Sequence, residues 1–311
     1  MEKPTIRPLA ERKNKVHIGE FARVLPPVVG FGEWFDALPD ILGARDLKTL
    51  VSTWKDVKAH GGFVGIALGA HVIKTGLAPL LIDLMRRGLI DHVATNGATA
   101  IHDYEFALQG ASSEDVAENL PDGSFGFWRE TFDGLNGVLV EGARKGFGSA
   151  VGEAILAADL PHKDLSIFAE AKRLGVTATV HVAFGCDIVH LDPDLDAGLL
   201  GQATHKDFGK ICESVCRLGG GLWVNIGSAV LMPEVFLKAV SYARNVGKLG
   251  QDFTTANLDM LRQYRAVTNV VQRPPSVGLE IIGQHEILLP LIHQALIAGS
   301  KASQATDKET R

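Results

Sequence analysis

Three cysteines in 311 residues leave little material for a disulfide framework, and that scarcity points to a reduced, cytoplasmic protein. Cys212 and Cys216 stand four apart on a segment of helical spacing, and no partners for zinc lie nearby, so packed free thiols are expected. Positive charge is not in excess. Lys and Arg total 31 against 36 Asp and Glu, a net charge of −5, so neither nucleic acid nor an anionic membrane is an expected partner. The start, Met1-Glu2-Lys3-Pro4, lacks the apolar core of a signal peptide. Apolar stretches such as Phe63 to Ile73 are too short to span a bilayer. What is present is ordinary globular composition, 46% hydrophobic and 22% charged, which argues against disorder.

Helical and strand signals alternate along the chain. Short apolar or β-branched runs at Phe63–Leu68, Ile90–Thr95, Val176–Ala183 and Leu222–Ile226 read as strands. Further strands are expected near Asp252-Phe253-Thr254, at Ala266–Val271 and at Leu279–Ile282. Helical spacing covers Asp46–His60, Leu77–Arg87, Thr99–Leu108, most of Phe125–Ala158, Asp164–Leu174, Thr204–Leu218, Pro233–Val246 and His285–Ala298. This alternation predicts an α/β fold, a Rossmann-like, mostly parallel sheet with helices on both faces. No repeat, low-complexity run or linker divides residues 1–311, so one domain is expected, with polar tails roughly at 1–15 and 299–311.

In such a sheet ligands bind beyond the carboxyl ends of the strands. Polar turns fall there: Gly69-Ala70-His71, Asn96-Gly97-Ala98-Thr99, Phe184-Gly185-Cys186-Asp187, Gly227-Ser228 and Thr255-Ala256-Asn257. Small residues let backbone amides approach a phosphate, and helix N-termini favour anions, so a nucleotide-sized crevice is inferred. The run Gly146 to Gly152, GFGSAVG, imitates a dinucleotide loop. Because the preceding EGARK is poor strand material, helix packing is the better reading of its glycines.

The segment from Gly69 to Asp103, carrying AHVIKTG and GLIDHVATNGATAIHD, resembles the corresponding part of deoxyhypusine synthases. HVAFGCDIVH, LGGGLWVNIG, DFTTANLD and IIGQHEILLPLI are similar to later family blocks in the same order, so the likeness covers roughly residues 63–298. NGATAIHD also resembles related NAD-containing ornithine-processing domains. The resemblance implies bound NAD and sites between subunits of a homotetramer. By position it implies NAD contacts at Ala70, His71, Val72, Ile73, Lys74, Asn96, Gly97, Ala98, Gly221, Thr255, Ala256, Gln284 and His285. It places His102 where the family has a glutamate touching cofactor and amine, and Asp187 on the aspartate that holds the amine. Asn225 lies near the position of a family histidine.

The departures redirect the expected chemistry. The family's catalytic lysine has no counterpart in Ala266–Val271, so no covalent imine forms there and aminobutyl transfer is not expected at that position. The acidic loop that grips a polyamine is replaced by DMLRQYR, whose Arg262 and Arg265 repel a polycation and suit a carboxylate or phosphate. The expected activity is that of an NAD-dependent enzyme of this superfamily acting on a small amine or amino acid. Asp187 would hold an ammonium and His102 accept a proton. The bland alternatives are a hydrogen-bonded structural His102 and an Asp187 that only caps the next segment. A non-catalytic NAD- or metabolite-binding protein is the alternative class, and aminobutyl transfer through Lys238 or Lys248 a further one. Asp103 reads as a first-turn charge, Lys74 as either a pyrophosphate partner or a solvated lysine, and Asn96 as a residue suited to a tight, left-handed turn. His181, Asp187 and His190 lack a fourth ligand, so no metal is expected.

Overall fold

The computed structural model describes residues 3–298. Six strands form one sheet: β1 (Val64–Leu68), β2 (His92–Asn96), β3 (Thr177–His181), β4 (Leu222–Ile226), β5 (Thr254–Asp259) and β6 (Val277–Ile282). Every pairing is parallel and the order is β3-β2-β1-β4-β5-β6. The expected Rossmann-like α/β sheet is therefore present. Around it run α1 (Phe31–Asp36), α2 (Leu42–Ala59), α3 (Ala70–Lys74), α4 (Ala78–Arg86), α5 (Gly97–Gln109), α6 (Val116–Asn119) and α7 (Arg129–Asn136). They are followed by α8 (Leu139–Lys145), α9 (Phe147–Ala157), α10 (Ile167–Leu174), α11 (Ala197–Val215), α12 (Leu231–Asn245), α13 (Tyr264–Ala266) and α14 (His285–Ile297).

Strand alternation separates two cores. Val64, Ile66 and Leu68 of β1 join Val224 and Ile226 of β4, and helices α2, α4, α5 and α14 cover that face. Ala67, Ala94 and Trp223 point the other way, against Ile211 and Val215 of α11 and Met232 and Phe236 of α12. Trp223 stacks on Phe236 with centroids 4.8 Å apart. Burying each such ring contributes roughly 1.5–3 kcal/mol. The helices joining β1 to β2 to β3 thus lie on one face and those leaving β4 on the other. Between β1 and β4 the winding reverses, and that is where an open parallel sheet forms its crevice.

Two expected strands require correction. Ala266–Val271 is helical, ending α13 and continuing as π turns through Gln272. Its buried residues Ala266, Val267 and Val270 recur at helical spacing, and tertiary packing overrides the β-branched content. The strand placed at Asp252–Thr254 begins instead at Thr254 and runs to Asp259, so Thr255-Ala256-Asn257 is strand interior, not a turn. The predicted C-terminal tail, 299–311, lies outside the described residues, whereas residues 3–15 are exposed. All three cysteines are free, with Cys212 buried and Cys216 partly so. The GFGSAVG glycines serve packing: a Cβ on Gly148 would meet Ala178 O at 2.5 Å and one on Gly152 would meet Phe168 O at 2.3 Å. Among the described residues, no helix is long and apolar enough to cross a membrane.

Candidate functional site

At the winding reversal β1 and β4 end side by side. Gly69 N–H donates to Ile226 O at 2.9 Å. A Cβ on Gly69 would lie 2.0 Å from Gly227 O, so the two turns meet only because residue 69 is glycine. His285 opens α14 and covers Gly227, and its ring lies 5.6 Å from that of His71. His285 is 1% exposed, burial lowers its pKa, and its Nδ1 is buried without a hydrogen-bond partner. Nε2 faces Leu258 O at 3.4 Å and so carries the proton of the neutral ring, which leaves Nδ1 as an acceptor toward a ligand.

The neighbouring turn, between β2 and α5, is an Asx cap. Asn96 Oδ1 accepts from Thr99 N at 3.0 Å and from Thr99 Oγ1 at 2.6 Å. The tight turn expected at Asn96 is present, made with an extended φ of −92° and without the left-handed conformation asparagine tolerates. Asp187 arrives from beyond β3 and sits on the positive end of α5. Its Oδ2 is 2.1 Å from the place of a Cβ on Gly97, and its carboxylate accepts from Ala98 N–H. Burial pushes its pKa up to about 6, opposed by that hydrogen bond. Asp187 therefore fills a helix N-terminus that an external anion would otherwise prefer.

His102 lies four residues beyond Ala98, one turn along the same helix. Its Nδ1 is 2.5 Å from Ser112 Oγ, which donates to Glu105 Oε2 at 2.6 Å. Thr131 Oγ1 donates to the other Glu105 oxygen at 2.8 Å. Since the serine proton goes to the carboxylate, the imidazole proton belongs on Nδ1, and Nε2 is left as an acceptor. Burial pushes the His102 pKa down to about 4, and the Lys74 cation adds to the shift. The neutral imidazole is thus held in one tautomer. Asp103, its neighbour, points away: it accepts from Ser166 Oγ at 2.5 Å and Ile167 N at 2.8 Å, and burial raises its pKa to about 7. It caps α10 and takes no part in the rim.

Below the rim, strand register lines up Ala67, Asn225, Asn257 and Glu280 across β1, β4, β5 and β6. Asn225 Nδ2 donates to Ser228 O at 2.9 Å and to Asn257 Oδ1 at 2.8 Å. Those bonds fix both amides and leave Asn225 Oδ1 and Asn257 Nδ2 buried and unpartnered. Register with Ala67 places both amides on the α11–α12 side of the sheet, the face away from α5.

Other predicted contacts are placed elsewhere. Gly221 precedes β4, at the opposite edge of the sheet from the rim, where its N–H bonds Leu218 O at 2.8 Å. Thr255 and Ala256 are fully buried inside β5, and Thr255 Oγ1 donates to Val270 O at 2.6 Å. Val72 and Ile73 turn their side chains into the core, so only the backbone at the start of α3 can face a ligand. Ala70, His71, Gln284 and His285 remain at the rim-side helix ends, and Lys74 closes α3 at its other end. Arg262 lies 3.2 Å from Glu280, and Arg265 lies 3.1 Å from Glu234, so each fork already has a carboxylate. His181 is buried against Thr179 Oγ1, and His190 Nδ1 accepts from Gly185 N–H at 3.1 Å. Among the described residues, no group of three His, Cys, Asp or Glu side chains is placed to hold a metal.

Sequence reading passed over Ser112 and took Asn257 for part of a turn. Nothing local in the sequence marks Ser112 as the bridge between Glu105 and His102.

No family model matches the chain. It is 36% identical over 66 residues, 21% of its length, to ornithine cyclodeaminase of Methanothermobacter thermautotrophicus, of which it covers 16%. Its fold is similar to that of AgrE in ternary complex with ornithine and NAD+, with a TM-score of 0.55 at 15% identity over 82% of this chain and 34% of AgrE. It is also similar to a candidate deoxyhypusine synthase from Entamoeba histolytica, with a TM-score of 0.52 at 10% identity over 88% of this chain and 95% of that one. The chain thus spans about a third of AgrE and a smaller share of the cyclodeaminase.

Proposed function

We propose that this chain is an NAD-dependent enzyme acting on an amino acid. Deoxyhypusine synthesis is not the activity proposed, because the helix at Ala266–Val271 has no lysine. The observation that carries the reading is the pairing, on one helix, of a carboxylate at the α5 N-terminus with an imidazole whose Nε2 is free to accept. That pair stands beside the β1–β4 crevice. Cofactor and substrate of the AgrE complex support the choice of NAD and of an amino acid.

The residues fit the cofactor at the crevice. The close Gly69 and Gly227 turns, the α3 start at Ala70 and His71, and the unpartnered His285 Nδ1 would hold it. Asn96, Gly97, Ala98 and Gln284 stand around that mouth, with Lys74 at the far end of α3. At α5 the fit is shared, since Asp187 already occupies the amides. NAD, when bound, supplies a hydride acceptor. Ionised Asp187 holds the substrate ammonium, and His102 Nε2 takes the proton released as the carbon–nitrogen bond is oxidised. Arg262 or Arg265 reads the substrate carboxylate after exchanging its present partner.

Exposed apolar side chains around the rim, Phe184, Tyr264 and Ile287 among them, support contact with further copies of the chain, and the homotetramer is proposed from the resemblance alone. Purified protein titrated with NAD, then incubated with L-ornithine or L-arginine and analysed by mass spectrometry, tests the reading. NAD binding with consumption of one amino acid is the expected result. Failure to bind NAD sinks it, whereas binding without turnover favours the non-catalytic alternative. Native mass spectrometry reads the subunit count.

A further inference from the structure

At the far end of β3 from the rim lies a second cavity, of about 490 Å³. The first turn of α9, the last turn of α10 and the last turns of α11 wall it, and the start of β3 forms its floor. Thr177, the first residue of β3, lines it, whereas the rim begins after His181, about 13 Å along the strand.

Three cations converge on this space: Lys172 from α10, Lys210 from α11 and Arg217 just past its end. Glu213 is the one carboxylate among the lining residues. Lys210, Glu213 and Arg217 are spaced to share one face of a helix. Lys172 pairs with Glu153 at 3.0 Å and Lys210 with Asp207 at 3.5 Å. Arg217 lies over the Phe63 ring, 5.0 Å from its centroid, and no carboxylate among the described residues pairs with it.

The floor contributes a donor. β3 is an edge strand, and its outward amides alternate with those bonded to β2. Val182 N–H donates to Thr204 Oγ1 at 3.0 Å and Val180 N–H to Asp207 Oδ2 at 2.8 Å. Thr177 N–H bonds Asp91 O, so Ala178 N–H is the next outward amide. Ala178 lines the cavity, as does Ser149 with its hydroxyl. An edge amide, a hydroxyl and three cations form the donor-rich surface that a phosphate group requires.

We propose that this cavity binds a phosphate-bearing small molecule, its phosphate held by Lys172, Lys210 and Arg217 with Ser149 and the Ala178 amide. The volume admits a body up to the size of a small sugar phosphate or nucleotide, within the range of ligand pockets. Free phosphate shares the recognised group. The site does not depend on the NAD reading, because no rim residue lines it.

Calorimetric titration of the full chain with inorganic phosphate and with ribose 5-phosphate tests the proposal, alongside the double variant Lys172→Glu, Arg217→Glu. Both positions are exposed, so the variant is expected to fold, and circular dichroism checks this. Binding weakened more than about tenfold in the variant is expected. Tighter binding of ribose 5-phosphate identifies a phosphorylated metabolite, and equal binding identifies the free anion. Titration with NAD is expected to give the same affinity in both proteins if the rim holds it. The proposal is overturned if neither probe binds the unaltered chain at millimolar concentration, or if binding survives the charge reversals. A folded single variant, Arg217→Ala, that binds phosphate as tightly as the parent also overturns it.

Discussion

Asp187 and His102 titrate in opposite directions from their ordinary values, and this sets a pH signature. Burial raises the Asp187 pKa to about 6, so the carboxylate needed for an ammonium forms only as pH passes that value. His102, pushed down to about 4, is already neutral there. The rate at low substrate should rise with a single limb near pH 6 and stay flat above it, and Asp187→Asn should abolish the limb along with most activity. A limb that persists in the residual activity of Asp187→Asn would reassign the titrating group. Ser112→Ala should lower turnover roughly tenfold or more with little change in KM, because the Nδ1 proton loses the acceptor that fixes the tautomer. Buried histidines also govern acid stability. His92 and His181, held neutral with pKa values lowered to about 3, contribute stability present above their unfolded pKa of 6.5 and lost as pH falls toward 3. Denaturant midpoints measured across that window check the sign.

At the scale of elements, caps made by distant carboxylates hold the helices in place. Asp103 joins α5 to the start of α10 through Ser166 and Ile167, and Asp207 joins α11 to α9 and β3 through Gly148 and Val180. Asp103→Ala should cost about 1–2 kcal/mol in thermal or denaturant unfolding and leave NAD affinity unchanged. If that variant loses NAD affinity while keeping its stability, the residue belongs to the site. Close packing of backbone is the second device. Gly69→Ala forces its Cβ against Gly227 O and should cost roughly 1–3 kcal/mol or displace the β4 turn. Because that turn borders the crevice, cofactor affinity should fall with stability in this variant, unlike the Asp103 case. Parallel measurements of melting and NAD binding separate the two.

For the whole molecule, the reversal of winding between β1 and β4 gathers loops from six strands over one edge of the sheet. A ligand binding there contacts both halves of the domain and should stabilise it as a unit. NAD at about a hundred times its Kd should add on the order of 2.7 kcal/mol. A single melting transition that moves upward with NAD is expected; two transitions, one of them insensitive, would contradict one cooperative domain. Strand β3 separates two regions of different chemistry, with the Asp187 rim at its carboxyl end and the cationic cavity at its start.

Apolar spacing along the chain determined the sheet's existence, its parallel character and most of its helices, because buried strands and amphipathic helices differ in period whatever their neighbours are. It also located the rim, since small polar turns follow strand ends in any such fold. The helix at Ala266–Val271 was not legible, as β-branched residues favour a strand until packing against β5 and α12 imposes a helical period. Strand β5 was misplaced because a Thr-Ala-Asn run looks like a turn until Asn257 meets Asn225 across the sheet. Only the tertiary structure decided that Asp187 seals α5, that Ser112 bridges Glu105 to His102, and that Gly221 faces the opposite edge. Those outcomes depend on residues far apart in sequence arriving at one place, which local pattern does not encode.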